Sequence, residues 1–415
     1  MFILCIASFL LGGNAFADYT PNLSELVDKA LEQNHMVQSV SEFSRAEKNK
    51  VTSDYSPSDP SVGLSNLNRG NETEYITIQQ KIRFPTKYFL QGKAQKKIYE
   101  ASQKQLLYSK LQTREQIVNL YFKLYSIQKT VDITKTNLQL VKDFARIAEK
   151  KYASGASTQA DSLKAHFEIT QLEVDLLRLE EQELSVQSKI KAVLSDPNFE
   201  NLKLNGLELK KPEIKGLDIS NFDNQIEKLM LESSPMLQAQ GKKFEAAKLK
   251  RKLAKWEFAP DFNVQYQQRT SGLPEDSKIL SINASIPLWF WKKSADASKA
   301  SATANSEESK YKNMNLNFIS EFRSLRARVE KSDRILIIYK TTFMPQAEGA
   351  YRSTRSAYKA GKLSFLDLLD SERSLYTVQQ KYYQILAGFV EDITKMESLI
   401  GKPISSLYGI KEISL

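Results

Sequence analysis

The chain has 415 residues, with 59 Lys and Arg against 49 Asp and Glu, a net charge of +10, two histidines and one cysteine. This length exceeds that of one small domain and allows two repeats or one extended architecture. The two histidines are isolated and have no metal-ligand spacing, and the sequence has neither a Walker loop nor a nucleophile elbow. We therefore expect no enzymatic activity, no bound metal and no cofactor.

The N-terminal stretch "MFILCIASFLLGGNAFADYT" combines an apolar run with Ala15-Phe16-Ala17, the small-residue spacing of a secretory cleavage site. We predict a signal peptide over residues 1–17, although no Lys or Arg precedes the apolar run. Lipidation at Cys5 is the weaker alternative, because the apolar run follows that cysteine. After this stretch no run of eighteen apolar residues occurs and the mean hydropathy is −0.43, so no membrane-spanning helix is predicted.

The rest of the chain contains an internal sequence repeat. "LEQNHMVQ" from Leu31 aligns with "LESSPMLQ" from Leu231, and two pairs of prolines recur at nearly the same offset. The paired prolines are Pro57 with Pro260 and Pro85 with Pro287. The sequence therefore predicts two structural repeats, residues 18–221 and 222–415, each a complete unit.

Each unit is predicted to open with an amphipathic helix, residues 23 to about 52 and 222 to about 257, which ends before a proline. A two-stranded hairpin follows, residues 60–84 and 261–288, because apolar and polar residues alternate there with period two. The residues predicted on the apolar face are Ile76, Ile78, Ile82, Phe84, Phe262, Val264, Tyr266, Leu280, Ile282, Ala284 and Ile286.

Long helical hairpins come next, residues 86–195 and 290–400. Between residue 86 and Tyr152 there is no proline and one early glycine, which at 1.5 Å per residue allows a helix of about 100 Å. Its apolar residues step by three and four, the 3.5-residue period of a coiled-coil seam. The seam residues are Ile117, Leu120, Leu124, Ile127, Val131, Thr134, Leu138, Val141, Ala145, Ala148 and Tyr152. The seam alone also fits a solvated structural coiled coil.

Two similar turns join the helices of the hairpins. "YASGASTQADSLKAH" begins at Tyr152 and "YKAGKLSFLDLLDSE" at Tyr358, and both place a glycine three residues and an aspartate nine residues after the tyrosine. Gly155 and Gly361 are expected to end the helices, because glycine tolerates the positive φ found there.

The strands decide between interpretations. A two-stranded hairpin is marginal in water, and four strands from one chain cannot close a barrel. Twelve strands from three chains would close one, with an apolar outside and a polar lumen.

The leader, the duplicated unit and the stretch "YKAGKLSFLDLLDSERSLY" together resemble the TolC-type outer-membrane efflux channels, over the whole mature chain. "QQKIRFPTKYFLQGKAQ" resembles more weakly the heavy-metal-efflux branch. The resemblance implies a mainly α protein with a small β part, which forms a homotrimer in the outer membrane lipid. A twelve-stranded membrane β-barrel would be continued in the periplasm by an α-helical barrel. Residues 196–221 and the tail after Gly401 would form an equatorial belt.

The resemblance also implies partners. The channel would be a passive exit duct for a tripartite efflux or type I secretion system, powered by an inner-membrane transporter and joined to it by a periplasmic adapter. The adapter would contact the hairpin tips. The tip residues are Gly155, Ser157, Gly361 and Ser364. No nucleic-acid partner is expected, because a secreted channel gives the positive charge little opportunity to meet one.

Gate residues are carried over in the same way. The counterparts of Tyr358 and Asp161 help to hold the family's inner hairpin closed. The family has an arginine where this chain has Leu363, with Lys362 beside it, so this chain departs from the family's gating link at that position. The alternative is that Tyr358 packs at the hairpin end and Asp161 caps its helix.

The second turn carries two aspartates, Asp367 and Asp370, which match the family's pair. Three chains would bring six carboxylates to the lower mouth, and an acidic ring favours the passage of cations. The alternative is that Asp367 stabilises the N-terminus of its helix. A periplasmic adapter and a soluble coiled-coil protein remain as rival classes, and the sequence does not identify the cargo or the pump.

Overall fold

The computed structural model describes residues 22–68, 72–155, 158–204, 206–209, 211–212, 228, 232–270 and 277–404. The predicted signal peptide with Cys5 and the tip residue Ser157 lie outside these ranges, as do residues 213–221 and 405–415. Within the described ranges, no helix is both long enough and apolar enough to cross a membrane.

The order helix, two strands, long helix and return helix occurs twice. The elements are α1 (Leu23–Gln33), α2 (His35–Tyr55), β1 (Ser61–Asn68), β2 (Glu72–Ile82), α3 (Pro85–Ala153), α4 (Gln159–Leu194), α5 (Pro235–Trp256), β3 (Asp261–Arg269), β4 (Lys278–Ser285), α6 (Phe290–Ile338), a π-helical turn (Tyr339–Phe343), α7 (Met344–Lys359) and α8 (Phe365–Ile400). The sequence predicts a mainly helical chain with a small β part, and this prediction is confirmed.

Asn34 divides the first predicted helix into two. Its backbone is extended, and its side-chain oxygen accepts hydrogen bonds from the backbone N–H groups of Met36 at 3.0 Å and Val37 at 3.1 Å. A short amide that satisfies these N–H groups begins a new helix, so α1 and α2 meet at a break. The prediction of one helix from residue 23 to about 52 is wrong in this respect. The second copy also starts a helix at this position, directly after Ser234.

The four strands form one antiparallel sheet in the order β1-β2-β3-β4. The register places Val62 opposite Ile78 and Val264 opposite Ile282, so the apolar residues of both repeats share one face. Residues one step along each strand lie on the other face, which is largely polar. The predicted alternation is confirmed, and the two hairpins join through β2 and β3 into a single surface.

The helix α3 has 69 residues, about 100 Å at 1.5 Å per residue, and its predicted seam is buried from Ile117 to Ala148 apart from half-buried positions. Tyr152 is exposed, so the seam ends before the tip. The matching helix of the second repeat is interrupted by the π-helical turn just before Pro345. Proline has no N–H and clashes with the carbonyl four residues earlier, which accounts for the locally wider turn.

The helices bury two separate apolar clusters. The upper cluster joins α1, α3, α4, α6 and α8 through residues such as Leu26, Ile117, Ile190, Phe322 and Phe389. The tip cluster lies at the far end of the hairpins and consists of Val141, Phe144, Ala145, Ala148, Ala165, Leu172, Tyr358, Phe365, Leu368 and Leu369. Both clusters combine residues from the two repeats, so the two hairpins of one chain pack as a unit.

The segment after α4 is held on the helices by two glutamines. Gln187 accepts from the backbone N–H of Leu202 at 3.1 Å and donates to the carbonyl of Leu202 at 2.8 Å. Gln128 donates to the same carbonyl at 2.8 Å and accepts from the N–H of Leu204 at 2.6 Å. These amides replace a neighbouring strand, because each offers a donor and an acceptor to the backbone. Both leucines are buried, so the predicted equatorial segment packs on the upper cluster here.

An ion pair joins the repeats where the sheet meets the helices. Lys87, in the first turn of α3, is only 1% exposed, and its Nζ lies 2.7 Å from Oδ1 of Asp261 and 2.9 Å from the carbonyl oxygen of Ala259. The same Oδ1 accepts from the backbone N–H of Phe84 at 3.2 Å. Glu257 lies 3.8 Å from the ammonium and accepts bonds from two further cations. These cations are Arg83 at 2.6 Å and Lys293 at 3.3 Å.

We expect Lys87→Met to destabilise the protein by about 1–3 kcal/mol, because it leaves the half-buried Asp261 carboxylate without its cation. Lys96→Met is the matched control, since Lys96 is exposed on the same helix. Denaturation midpoints of the detergent-solubilised protein measure the difference. Equal midpoints for the two variants would contradict a structural role for this ion pair.

Candidate functional site

The tip of the second hairpin is a tight helix end. Gly361 has φ +72°, its N–H donates to the carbonyl of Tyr358 at 3.0 Å, and the N–H of Lys362 donates to the carbonyl of Ala357 at 2.9 Å. This pair of bonds is the Schellman motif, which needs a residue in the left-handed conformation. The predicted role of Gly361 as the helix terminator therefore has a geometric basis.

The first hairpin tip begins in the same way. Gly155 has φ +74°, and its N–H donates to the carbonyl of Tyr152 at 2.9 Å. No heavy atom lies within 4 Å of where a Cβ of Gly155 would stand, so the backbone angle alone favours glycine. The neighbouring candidate Ser157 lies outside the described residues.

Tyr358 ties the second hairpin to the first. It is 5% exposed, its ring is 6.0 Å from that of Phe365, and the ammonium of Lys151 lies 4.1 Å from its ring centre. Burial raises the pKa of the Tyr358 hydroxyl, and the negative charge of Asp161 raises it further. The structure thus brings Tyr358 near both arms of the first hairpin, and the packing alternative for this residue is directly visible.

Asp161 is half-buried in the first turn of α4. The N-cap of that helix is Thr158, whose side chain makes no capping bond, and the N–H of Asp161 donates to the Thr158 carbonyl at 3.2 Å. Asp161 is therefore not the N-cap residue. Its carboxylate still lies in the first turn, where a negative charge is favoured by the helix dipole.

Asp367 is part of a capping box at the start of α8. Its Oδ2 accepts from the backbone N–H of Ser364 at 3.0 Å and from the Ser364 hydroxyl at 2.7 Å, while its own N–H donates to Ser364 Oγ at 3.2 Å. These bonds hold the pKa of the Asp367 carboxyl below its usual range. Within one chain, Asp367 and the predicted contact residue Ser364 thus build the helix start.

Asp370 follows one turn later and is exposed, as is Lys362 at the turn. Leu363, at the position of the family's arginine, is also exposed and has no charge to offer. Of the two predicted ring aspartates, only Asp370 lacks a capping role among the bonds described. Asp367 is also exposed, and its capping bonds favour the ionised carboxylate, so the acidic ring stays a prediction for both aspartates.

The sheet presents a second candidate surface. Its apolar face is bare in the single chain, with Leu64 84% and Ile282 68% exposed. The other members of this face are Val62, Ile76, Ile78, Ile82, Phe262, Val264, Tyr266, Leu280 and Ala284. A continuous exposed apolar area of this kind marks an interaction surface.

Sequence reasoning missed an aromatic run beside this sheet. Leu288, Trp289, Phe290 and Trp291 follow β4, and each is more than half exposed. Lys292 and Lys293 come directly after them. Three consecutive aromatic residues at a strand-to-helix passage were the available signal. It was hidden because the strand pattern ends at Pro287.

No group of three or more His, Cys, Asp or Glu side chains in the described part of the chain could hold a metal ion. The two histidines are apart, and His166 lies 2.8 Å from the carboxylate of Glu149 across the first hairpin.

Solved structures share this fold. The CmeC outer membrane channel of Campylobacter jejuni superposes with a TM-score of 0.80 at 15% identity, covering 99% of this chain and 96% of CmeC. The open state of the MtrE outer membrane channel of Neisseria gonorrhoeae gives 0.76 at 15% identity, covering 95% and 91%. At these identities the likeness establishes the architecture.

Sequence comparison points to one protein family. Residues 227–402, which contain most of the second repeat, match the family model described as "outer membrane efflux protein". The matched part of the chain is therefore similar to the outer membrane efflux proteins. The cobalt-zinc-cadmium resistance protein CzcC of Cupriavidus metallidurans is 20% identical over 290 residues, covering 70% of this chain and 68% of CzcC. The predicted resemblance to outer-membrane efflux channels is confirmed.

We expect Gly361→Ala to destabilise the second tip by about 1–2 kcal/mol, because an L-residue is strained at φ +72°. Gly349→Ala is the control within the preceding helix α7, where no atom lies within 4 Å of the added Cβ. That change should stabilise the helix by about 0.5–1 kcal/mol. Amide hydrogen exchange near the tip reads both effects, and opposite signs are required.

Proposed function

We propose that this chain is the outer-membrane exit duct of a tripartite efflux or type I secretion system, which passively conducts exported substrates from the periplasm to the exterior. The observation that carries the proposal is the exposed apolar sheet face, which lies next to a helical part whose longest helix, α3, is about 100 Å long. The similarity of residues 227–402 to the outer membrane efflux proteins supports the same location, the outer membrane with an extension into the periplasm.

The sheet geometry supports assembly as a homotrimer. Strands β1 and β4 are the two edges of the sheet within one chain. They are antiparallel, since the four strands alternate in direction, so β4 of one copy can pair with β1 of the next. Three copies would supply twelve strands and remove every open edge. The apolar face then meets lipid, and the polar face lines the lumen.

The aromatic run Leu288–Trp291 suits the periplasmic edge of the membrane. Tryptophan rings favour the interface between hydrocarbon and headgroups, and the following Lys292 and Lys293 can reach anionic headgroups. The long helical hairpins then project away from the membrane, since they continue from the same edge of the sheet.

The hairpin tips are proposed as the contact with a periplasmic adapter, whose inner-membrane transporter supplies the energy. The contact residues are Gly155, Ser157, Gly361 and Ser364. Tyr358 and Asp161 would help to keep the hairpins together at the tip. The family's arginine corresponds to Leu363 here, and the preceding residue, Lys362, would take its place. We propose no nucleic-acid partner and no catalytic step. The rival interpretations, a periplasmic adapter and a soluble coiled coil, give the apolar sheet face no role.

Cations are the first cargo to test. Three copies of Asp370 would stand near one another at the lower mouth and would raise the local concentration of cations. The name of the relative CzcC refers to cobalt, zinc and cadmium, which suggests divalent metal ions as the cargo class.

We expect Ile78→Arg, Val264→Arg or Ile282→Arg to cost about 2–4 kcal/mol of membrane-inserted stability near the bilayer midplane, because each places a cation on the lipid-facing side. The yield of detergent-extracted trimer from the outer membrane measures this loss.

The controls for this test are Gln79→Arg, Gln265→Arg and Ser281→Arg, whose residues face one another on the polar side of the same strands. These variants should assemble normally, because their side chains point into water. Equal trimer yields for the two sets would refute the proposed orientation of the sheet.

Single-channel recording tests conduction and the acidic ring together. The purified protein should form channels in planar bilayers, and a multivalent cation added from the periplasmic side should block them. Asp370→Asn should relieve the block and weaken cation preference, whereas Glu391→Asn, on an exposed part of α8, should change neither. Unaltered block in Asp370→Asn would remove the ring from the proposal, and absence of any channel would overturn the duct itself.

A further inference from the structure

A layer of polar residues separates the two apolar clusters of the helical hairpins. The polar layer consists of Thr134, Asn137, Glu372 and Tyr376. Thr134 and Asn137 are buried on α3 between Val131 of the upper cluster and Val141 of the tip cluster. Thr134 Oγ1 and the Tyr376 hydroxyl share a hydrogen bond of 3.0 Å, so this part of the layer is satisfied.

Glu372 is the exception in this layer. It is 2% exposed, and neither of its carboxylate oxygens has a hydrogen-bond partner within the described part of the chain. The amide of Asn137 is close enough to favour the ionised form, yet its Nδ2 completes no hydrogen bond either. The buried hydroxyl of Tyr351 on α7 is also without a partner there. A buried polar group without partners costs free energy, and an ionised one costs far more.

The charges around Glu372 do not neutralise it. From α4, Glu168 raises the pKa of the Glu372 carboxyl, after the larger effect of burial. On α8 itself, Arg373 lowers it, but Arg373 is held in an ion pair by Glu168. Together these effects raise the pKa of Glu372 to about 7.

The remaining charged groups line a cavity next to the layer. The cavity has a volume of about 670 Å³ and lies between α3, α7 and α8, with Glu372, Asn137 and Tyr351 in its wall. Its charged lining residues are Lys129, Asp132 and Asp143 from α3 and Arg355 from α7. Burial raises the pKa of the neighbouring Tyr376 hydroxyl, and the negative charge of Asp175 on α4 raises it further. Because Glu372 lies in the wall of this cavity, water that enters it comes next to this residue.

We propose that the polar layer is a proton-sensitive joint: the two hairpins pack together at their tips when Glu372 carries its proton and part at this layer when it loses it. A neutral carboxyl is tolerated between the two apolar clusters. A carboxylate is not, and it gains hydration if the helices move apart and water enters from the cavity. The upper cluster stays packed, so the movement is confined to the tip.

The direction of the pH effect follows from linkage. In the packed arrangement the pKa of Glu372 is raised from 4.5 to about 7. The stability of packing is therefore fully present below about pH 4.5 and is lost as the pH rises through 7. Between these values the ratio of parted to packed tips should rise by up to about tenfold per pH unit, one proton being released.

This joint would add regulation by pH to the proposed function. Only its effect on the channel mouth rests on that function. If the tips line the lower mouth of an exit duct, an acidic periplasm would hold the mouth narrow and a neutral one would loosen it. The joint itself is a property of the helices, and it can be measured without any conduction.

Hydrogen exchange read by mass spectrometry on the full chain in detergent tests the joint. Amide protection is measured at pH 5, 6, 7 and 8 and corrected for the intrinsic pH dependence of exchange. We expect peptides covering Phe365–Tyr376 to lose protection between pH 5 and 7 by up to about tenfold per pH unit. Peptides from the upper cluster, around Phe389, should not change.

Glu372→Gln keeps the shape of the protonated side chain and should hold the tip protected at every pH. Glu372→Leu is a second variant with the same expectation, in case the amide packs poorly. Glu391→Gln on the exposed side of α8 should behave as wild type. Equal protection of the wild-type tip at pH 5 and pH 8 would overturn the joint, and so would a pH dependence that persists in both Glu372 variants.

Conduction in planar bilayers separates this proposal from the preceding one. Absence of channels with a pH-dependent tip would refute the duct and support the joint. Channels whose tip protection does not change with pH would support the duct and refute the joint.

Discussion

The ion pair between the buried Lys87 and the half-buried Asp261 joins the sheet to the helices. Lys87 belongs to the first turn of α3 and Asp261 to the first position of β3, so one contact joins the two repeats at the point where strand and helix exchange. A buried ammonium is tolerable only when its partner carboxylate is in place, which makes the arrangement all-or-none. The stacked rings of Phe84 and Trp256, 5.5 Å apart, close the same junction. The orientation of the sheet relative to the long helices is therefore set at this junction.

Duplication gave two copies of one unit, and the structure shows where their requirements have diverged. The first long helix is continuous, whereas the second contains a π-helical turn before Pro345. The second return helix begins with the Ser364–Asp367 capping box, whereas the side chain of Thr158 makes no capping bond in the first. The second hairpin therefore has a capped return helix and a π-helical turn, and the described part of the first hairpin has neither.

Periodic features were predictable from sequence, and single long-range contacts were not. The alternating strands and the seam from Ile117 to Ala148 follow from spacing alone, since burial repeats along each element. The break at Asn34 was missed because one asparagine within an amphipathic pattern is compatible with a continuous helix. Glu372 gave no signal, because a glutamate among charged neighbours usually lies on a solvated face. Its burial depends on α3, which is far away in the chain, and on α7, which lies across the tip turn. The pairing of Gln128 with Leu202 and Leu204 was hidden for the same reason.

The two open edges of the sheet have a consequence for how the protein is made. In a lone chain, β1 and β4 each keep a row of backbone groups for which the described residues supply no neighbouring strand, beside a bare apolar face. Such an edge pairs with any extended chain it meets, so newly exported copies in water are exposed to aggregation. The time between export and insertion is therefore the vulnerable period in the life of this protein. A holding chaperone that covers strands, or insertion that follows export without delay, would be as necessary to it as any feature of the finished channel.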